Sequence, residues 1–317
     1  MDKHIPVMLN EVIDNLCIKN DGIYVDCTLG RAGHSSEILK RIPNGHLYGF
    51  DQDQKAIDES KSFLSTIANN FTLIHENFVN VKDKLNELGV NSVDGILMDL
   101  GVSSPQFDDG ERGFSYRYDA RLDMRMNQSD ELDAHYIINN YSLNELTRIF
   151  REYGEEKYAY NIAKNIVKVR ESKTINTTFE LVDIIKSSLP KKELMKKGHP
   201  AKQVFQALRI ETNHELDYLT KVLDDVLSLL KVGGRLAIIT FHSLEDRIVK
   251  KAFKRVSEIE GSRHAPVMLP NEENKPNYRL VNRQVIVASE EELKNNPRSQ
   301  SAKLRIIERI WGKWKTS

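Results

Sequence analysis

Three stretches of this 317-residue chain place reactive side chains where a strand gives way to a loop. The first, "VDCTLGRAGHS" (25–35), carries Gly30 and Gly33 just after an apolar run. Glycines there let the backbone turn tightly and approach a ligand, and the N–H groups opening the following helix favour a carboxylate or phosphate. The second is Asp51, which closes "HLYGFD" twenty-five residues after Asp26. An acid at that point can accept both hydroxyls of a ribose. Each has a plainer use, the glycines as a βα turn and "DQDQ" (51–54) as a helix cap. Together they favour an adenosine-containing ligand. The third, "MDLGVSSPQFDDGERGFS" (98–115), ends a buried strand in an aspartate and a long polar loop.

The glycine pattern narrows the ligand. "GRAGHS" (30–35) lacks the full G-x-G-x-x-G of dinucleotide sites, and no G-x-x-x-x-G-K-[ST] is present for a nucleotide triphosphate. A looser turn with acids on the first two strands fits S-adenosylmethionine. "SSPQF" (103–107) is similar to the Asp/Ser-Pro-Pro-aromatic loop of methyltransferases acting on the exocyclic amines of bases, with Gln106 in place of the second proline. The N4 lone pair of cytosine is delocalised into its ring, so that amine is a poor nucleophile. A hydroxyl of Ser103 or Ser104 and a backbone carbonyl near Pro105 would accept its two hydrogens. That would align the nitrogen with a sulfonium methyl, by orientation and electrostatics rather than by a strong base. A proline-punctuated loop without catalytic purpose is the alternative.

The elements that must position these residues follow a βα rhythm. "IYVDC" (23–27), "HLYGFD" (46–51), "FTLIHENF" (71–78) and "VDGILMD" (93–99) read as strands, with helical patterns between them. This alternation predicts an α/β fold with a doubly wound, mostly parallel sheet. From about Asp130 to Leu189 only helical patterns appear, with capping boxes at Ser142/Glu145 and Thr177/Glu180. A long helical pattern runs from Val204 to Leu230. "KVGGRLAIITF" (231–241) then resumes the sheet, with Ser243 as a helix N-cap, and residues 260–300 are loop-like except for "RQVIVA". "AKLRIIERIW" (302–311) is a final strand. The expected organisation is residues 1–109 and 203–317 as one domain, interrupted by a helical substrate-recognition subdomain over 110–202.

Composition excludes little. Lys plus Arg and Asp plus Glu are each 46, so the net charge names no partner. The acids among the first twenty residues argue against a signal peptide, and no run approaches a membrane span. Two cysteines outside any C-x-x-C suit a reducing cytoplasm, and nine histidines without zinc-like spacing predict no bound metal.

The chain as a whole resembles the bacterial 16S rRNA (cytidine-N4)-methyltransferase family, called RsmH or MraW. The matching stretches are "HIPVML", "DCTLGRAGHS", "DGILMDLGVSSPQFDDGERGFS", "LDMRM", "HPAKQVFQALRIETNHEL", "GGRLAIITFHSLEDRIVK" and "NPRSQSAKLRIIER", in family order over nearly the full length. The resemblance implies a Rossmann-like class I methyltransferase that transfers a methyl from S-adenosylmethionine to a cytidine N4 in the decoding region of 16S rRNA. Its partner would be that rRNA or the small subunit, and the enzyme a monomer or homodimer. Carried over by motif, Ala32, Gly33, His34, Asp51, Phe78, Asp99 and Gln106 would hold the cofactor, and Ser103, Ser104 and Pro105 the amine. Ala32 stands where many members have glycine, which a negative φ would accommodate. "DARLDMRM" has Ala-Arg where the family often has Gly-Pro.

Other residues carry two readings each. His242 and Ser243 line the cleft, or serve as a buried imidazole and a cap. Asp123 and Arg125 shape a substrate mouth, or pair with each other. Asn213 contributes to the site or faces solvent. For RNA the basic candidates are Lys191, Lys192, Lys196, Lys197 and Lys202 in a connector, and Arg298, Lys303, Arg305, Arg309, Lys313 and Lys315 near the end. Trp314 would stack on a base or pack; packing is the expected role of Trp311. Two competing functions remain: a nucleotide-dependent oxidoreductase, and a non-catalytic RNA-binding or ribosome-assembly protein.

Overall fold

The computed structural model describes residues 6–102, 107, 109–258 and 276–312. The apolar runs become strands β1 (Ile23–Asp26), β2 (His46–Asp51), β3 (Phe71–His75), β4 (Val93–Asp99) and β5 (Leu230–Thr240). Three more follow: β6 (Tyr278–Leu280), β7 (Ile286–Val287) and β8 (Lys303–Arg309). The sheet order is β3-β2-β1-β4-β5-β8-β6, with β7 also on β8. The first five strands pair in parallel, and β8 runs antiparallel to β5, β6 and β7. This is the doubly wound, mostly parallel sheet expected.

The central strands β1 and β4 are largely apolar because both sheet faces are covered there. Side chains alternate between the faces, so Val25, Ile96, Met98, Leu236 and Ile238 enter one core while Tyr24, Leu97, Ala237 and Ile239 enter the other. β4 is buried from Val93 to Met98, and only its last residue, Asp99, reaches partial exposure.

The chain forms two compact units, residues 1–101 with 217–317 and residues 102–216. The second is built on helices Ala134–Asn140, Leu143–Glu152, Ala159–Arg170, Thr178–Ser187, Lys191–Leu194 and Lys202–Asn213. Both expected capping boxes form, at Ser142/Glu145 and Thr177/Glu180. The unit ends at 216 rather than the expected 202 because helix Lys202–Asn213 sends Val204, Phe205, Ala207 and Leu208 into its core. The continuous helix expected from Val204 to Leu230 is broken at His214, whose φ of 51° is left-handed, and a second helix, Glu215–Leu229, follows. No helix among the described residues is long and apolar enough to cross a membrane.

Candidate functional site

Parallel pairing brings the C-terminal ends of β1, β2 and β4 to one edge of the sheet, and all three end in aspartate: Asp26, Asp51 and Asp99. From β1 the chain winds outward to β2 and β3, then crosses back to β4 on the other side of β1. The β1/β4 boundary is therefore the switch point, where the loops diverge and a ligand crevice opens.

The glycine loop is tied to β2 through Asp51. Its Oδ2 accepts the Gly30 N–H at 2.8 Å and its Oδ1 accepts the Asp53 N–H at 2.9 Å. Gly30 has φ +51°, and the Ser60 hydroxyl holds its carbonyl at 2.8 Å. Ala32 is buried with φ 56°, so the expectation of a negative φ is corrected: this alanine occupies the left-handed region that favours glycine. Gly33 opens helix Gly33–Leu39, and a Cβ there would overlap the Pro6 ring. Pro6 and Val7 thus pack against the "GRAGHS" segment.

His34 is buried beneath the loop. Its Nε2 lies 3.0 Å from the Val7 carbonyl and its Nδ1 3.8 Å from Asp99 Oδ2. Asp26 accepts the Ser35 hydroxyl at 2.7 Å and the Thr28 N–H at 3.0 Å. The Asp99 N–H donates to the Thr28 hydroxyl at 2.6 Å, which ties the β1 and β4 ends together. The Asp99 carboxylate is less well served: its buried Oδ1 accepts no hydrogen bond among the described residues.

Burial, with the charges of Asp26 and Glu245 adding to it, pushes the Asp99 carboxyl well above the usual range. Burial raises Asp26 as well, against the hydrogen bonds from Ser35 and Thr28. It pushes Asp51 up to about 6, the N–H groups of Asp53 and Gly30 offsetting only part. Three carboxyls held above their ordinary values make a site that lacks positive charge. It suits a ligand bringing cations and donors and opposes one bringing a pyrophosphate.

Phe78 lies in the single turn Phe78–Asn80 after β3, half-buried against the core. The chain before it is fastened to the β2 end: Glu76 N–H donates to the Asp51 carbonyl at 2.9 Å, and Asn77 Nδ2 to Gln52 Oε1 at 2.7 Å. Thr28, Gln52 and Asn77 were not singled out from sequence. Thr28 had a signal, a hydroxyl two residues after an aspartate, the spacing of local side-chain turns. Ser103, Ser104, Pro105 and Gln106 lie outside the described residues.

His242, not Ser243, caps the helix Ser243–Ser257, in a capping box with Glu245. The Glu245 carboxylate accepts the Phe241 N–H at 2.8 Å, and its other oxygen lies 3.1 Å from His242 Nε2. In the inserted unit Asp123 and Arg125 pair with each other in a bidentate fork of 2.8 and 2.7 Å. Asn213 is buried rather than solvent-facing. It accepts the Met126 N–H at 2.7 Å and donates to the carbonyls of Met124 and Arg209, each at 2.8 Å.

The basic candidates divide. Arg305 and Lys303 converge on Asp246, at 2.7 and 3.3 Å. Arg309 donates to the carbonyls of Ser228, Leu230 and Gly312. These three hold the fold. Arg298 is exposed, as is Trp311, at 49% against the packing expected of it. Lys313, Trp314 and Lys315 lie outside the described residues. Connector residues Lys191, Lys192, Lys196, Lys197 and Lys202 are all exposed, Lys196 pairing with Glu193 at 2.6 Å.

Residues 1–310 match the model of the MraW methylase family. A ribosomal RNA small subunit methyltransferase H from Lactobacillus delbrueckii subsp. bulgaricus is 50% identical over 313 residues, 97% of this chain and 99% of that protein. Its counterpart of the same name in Exiguobacterium sibiricum is 52% identical over 310 residues, 98% and 99% of the two chains. The crystal structure of an rRNA methylase from Streptococcus thermophilus is 13% identical with a TM-score of 0.41, covering 98% of this chain and 99% of that one.

Proposed function

Since the chain belongs to the MraW methylase family, we propose that it methylates the N4 amine of a cytidine in the decoding region of 16S rRNA, using S-adenosylmethionine. The rRNA substrate, free or within the small subunit, places the reaction in the cytoplasm. The structural observation that carries the cofactor is the buried Asp99 Oδ1, an acceptor with no partner among the described residues and with Asp26 and Glu245 adding to its charge burden. A buried acceptor of this kind costs about 1–3 kcal/mol until a donor arrives. The α-ammonium of S-adenosylmethionine is such a donor, and its sulfonium adds a second positive charge.

Asp51 would accept the ribose hydroxyls, since each carboxylate oxygen already accepting one N–H keeps a second lone pair. Phe78 would pack against the adenine. Ala32, Gly33 and His34 would shape the wall beside the methionine portion, and by the family motif Gln106 would also contact the cofactor. The pyrophosphate of a nicotinamide dinucleotide would face Asp26, Asp51 and Asp99, which argues against an oxidoreductase. When bound, S-adenosylmethionine supplies an electrophilic methyl on sulfur. Ser103 or Ser104 and a carbonyl near Pro105 would accept the amine hydrogens and aim its nitrogen lone pair. No strong base is needed before attack, because the amine becomes acidic only as the new bond forms.

The test is transfer of labelled methyl to small subunits lacking the modification, followed by digestion and separation of nucleosides. Label in N4-methylcytidine, lost in Ser103→Ala or Ser104→Ala, is expected. Tight cofactor binding with no label in rRNA would overturn the substrate. RNA affinity indifferent to the cofactor and to both serine variants, with no transfer, would favour a scaffold protein.

A further inference from the structure

Helix Thr178–Ser187 of the inserted unit begins against the loop that carries Tyr118. Thr178 Oγ1 donates to the Tyr118 carbonyl at 2.6 Å and Thr178 N–H to the Ala120 carbonyl at 2.9 Å. The Phe179 N–H reaches Asp119 Oδ1 at 3.4 Å. Two large aromatic rings therefore leave adjacent backbone, and neither is buried: Tyr118 is 52% exposed and Phe179 43%. Exposed aromatics on a stable helical unit invite a partner with flat apolar faces.

The charge beside them is positive. Arg117 and Lys186 are exposed and have no carboxylate partner among the described residues. Both sit close to His199, whose imidazole is held below its ordinary pKa by burial first and by these two cations second. His199 stacks on Tyr116 with ring centroids 4.2 Å apart and planes 4° from parallel, and its Nδ1 accepts the Ala201 N–H at 3.2 Å. Between Lys186 and His199 the chain makes an excursion through "KKELMKKG", with Met195 86% exposed at its tip. Residues 186–202 hold six lysines and one glutamate. Aromatic faces beside unpaired cations are the composition of a single-strand nucleic-acid platform, where bases stack and lysines and arginines follow phosphates.

We propose that this face of the inserted unit binds single-stranded RNA, with Tyr118 and Phe179 as stacking rings and Arg117, Lys186 and the 191–197 lysines as phosphate contacts. It rests on the rRNA methyltransferase reading and identifies where that enzyme holds its substrate outside the methyl-transfer site. An apolar protein partner would use the rings but not the four lysines, Lys186, Lys191, Lys192 and Lys197, that have no carboxylate partner among the described residues; an acidic one would use the lysines but leave the rings idle.

The probe is a fluorescein-labelled single-stranded RNA of about twelve nucleotides, long enough to cover one such surface. Tyr118→Leu and Phe179→Leu should each weaken its binding by about tenfold, and Tyr118→Phe should retain it, because phenylalanine keeps the ring. Arg117→Gln and Lys186→Gln should each lower the slope of log affinity against log salt by about 0.7. S-adenosylmethionine affinity and the thermal midpoint should not move in any of them. Leucine variants that bind as the wild type does, or a Tyr118→Phe as weak as Tyr118→Leu, would overturn the platform. The function reading fails separately, when wild-type protein binds the probe yet transfers no methyl to small subunits.

Discussion

Two sets of motif residues, one in each unit, bury polar side chains, and the hydrogen bonds of Asn213 and Asp123 contrast with those of Asp99. In the inserted unit, Asn213 makes three hydrogen bonds to the "DMRM" backbone and its own helix. Asp123 grips Arg125 with both oxygens. At the strand ends of the other unit, Asp99 keeps a buried oxygen without a hydrogen bond among the described residues, and Asp26, Asp51 and Asp99 are all raised by burial. A buried polar group that is fully paired specifies a conformation, and one left unpaired waits for a ligand. On the proposed function, the contrast separates motif residues that hold the fold from those that would hold a cofactor.

The largest effect should come from the paired side. Asn213→Ala removes three hydrogen bonds and strands the Met126 N–H and Met124 carbonyl, at a cost of about 3 kcal/mol. Urea denaturation would measure it, with cofactor affinity per folded molecule unchanged. Gly33→Ala comes next. The new Cβ overlaps the Pro6 ring, and displacing a packed ring costs about 2 kcal/mol. Here stability and cofactor affinity should fall together, because on the proposed function the loop itself would be the binding wall. Equal losses of affinity in both variants would erase the distinction.

Asp51→Asn probes the unpaired side. Losing a charged acceptor for the ribose should weaken S-adenosylmethionine by about tenfold at neutral pH, roughly 1.4 kcal/mol, by calorimetry. Stability relative to the wild type should depend on pH. With its folded pKa raised to about 6, Asp51 is penalised when ionised. Its stabilising contribution is fully present below the unfolded carboxyl pKa and is lost as pH rises through 6. Asparagine has one acceptor oxygen and strands one of the two N–H groups at every pH, so the unliganded variant should compare best with the wild type in thermal midpoint at pH 8 and progressively worse as pH falls from 6 toward 4. A difference flat across that window would mean Asp51 is ionised without penalty and the site is less starved of positive charge than its burial implies.

Much of the strand-end region was legible because parallel strands announce themselves. His46–Asp51 and Val93–Asp99 are apolar runs closed by an acid, and their bounds match the sequence reading. Burial on both faces leaves no other way to write such a strand. The antiparallel edge was less visible: β6 has two exposed residues out of three and sits in a stretch that reads as loop. His214 gave no warning that it would break a helix, since histidine tolerates the left-handed region without demanding it. Asn213 reads as a surface residue because nothing local reveals a partner 87 positions away. The glycines, Asp51 and Asp99 were found by type and position, but the Thr28 bridge and the Gln52–Asn77 clasp depend on which loops meet.

Ala32 gives the smallest expected effect and the sharpest test of how the loop is balanced. An alanine in the left-handed region costs about 1–2 kcal/mol relative to the right-handed one, and glycine escapes that cost. Against this, Ala32 is wholly buried, and deleting its methyl forfeits about 0.8 kcal/mol of burial. Glycine also loses about 0.5–1 kcal/mol more backbone freedom on folding. The terms nearly cancel, so Ala32→Gly should change stability by less than about 0.5 kcal/mol in urea denaturation, with cofactor affinity retained. The loop then tolerates alanine by compensation: a strained φ offset by a buried methyl and a stiffer unfolded chain. A gain above about 1 kcal/mol would show the strain uncompensated, and a comparable loss would show the methyl to be a packing element of the cofactor wall.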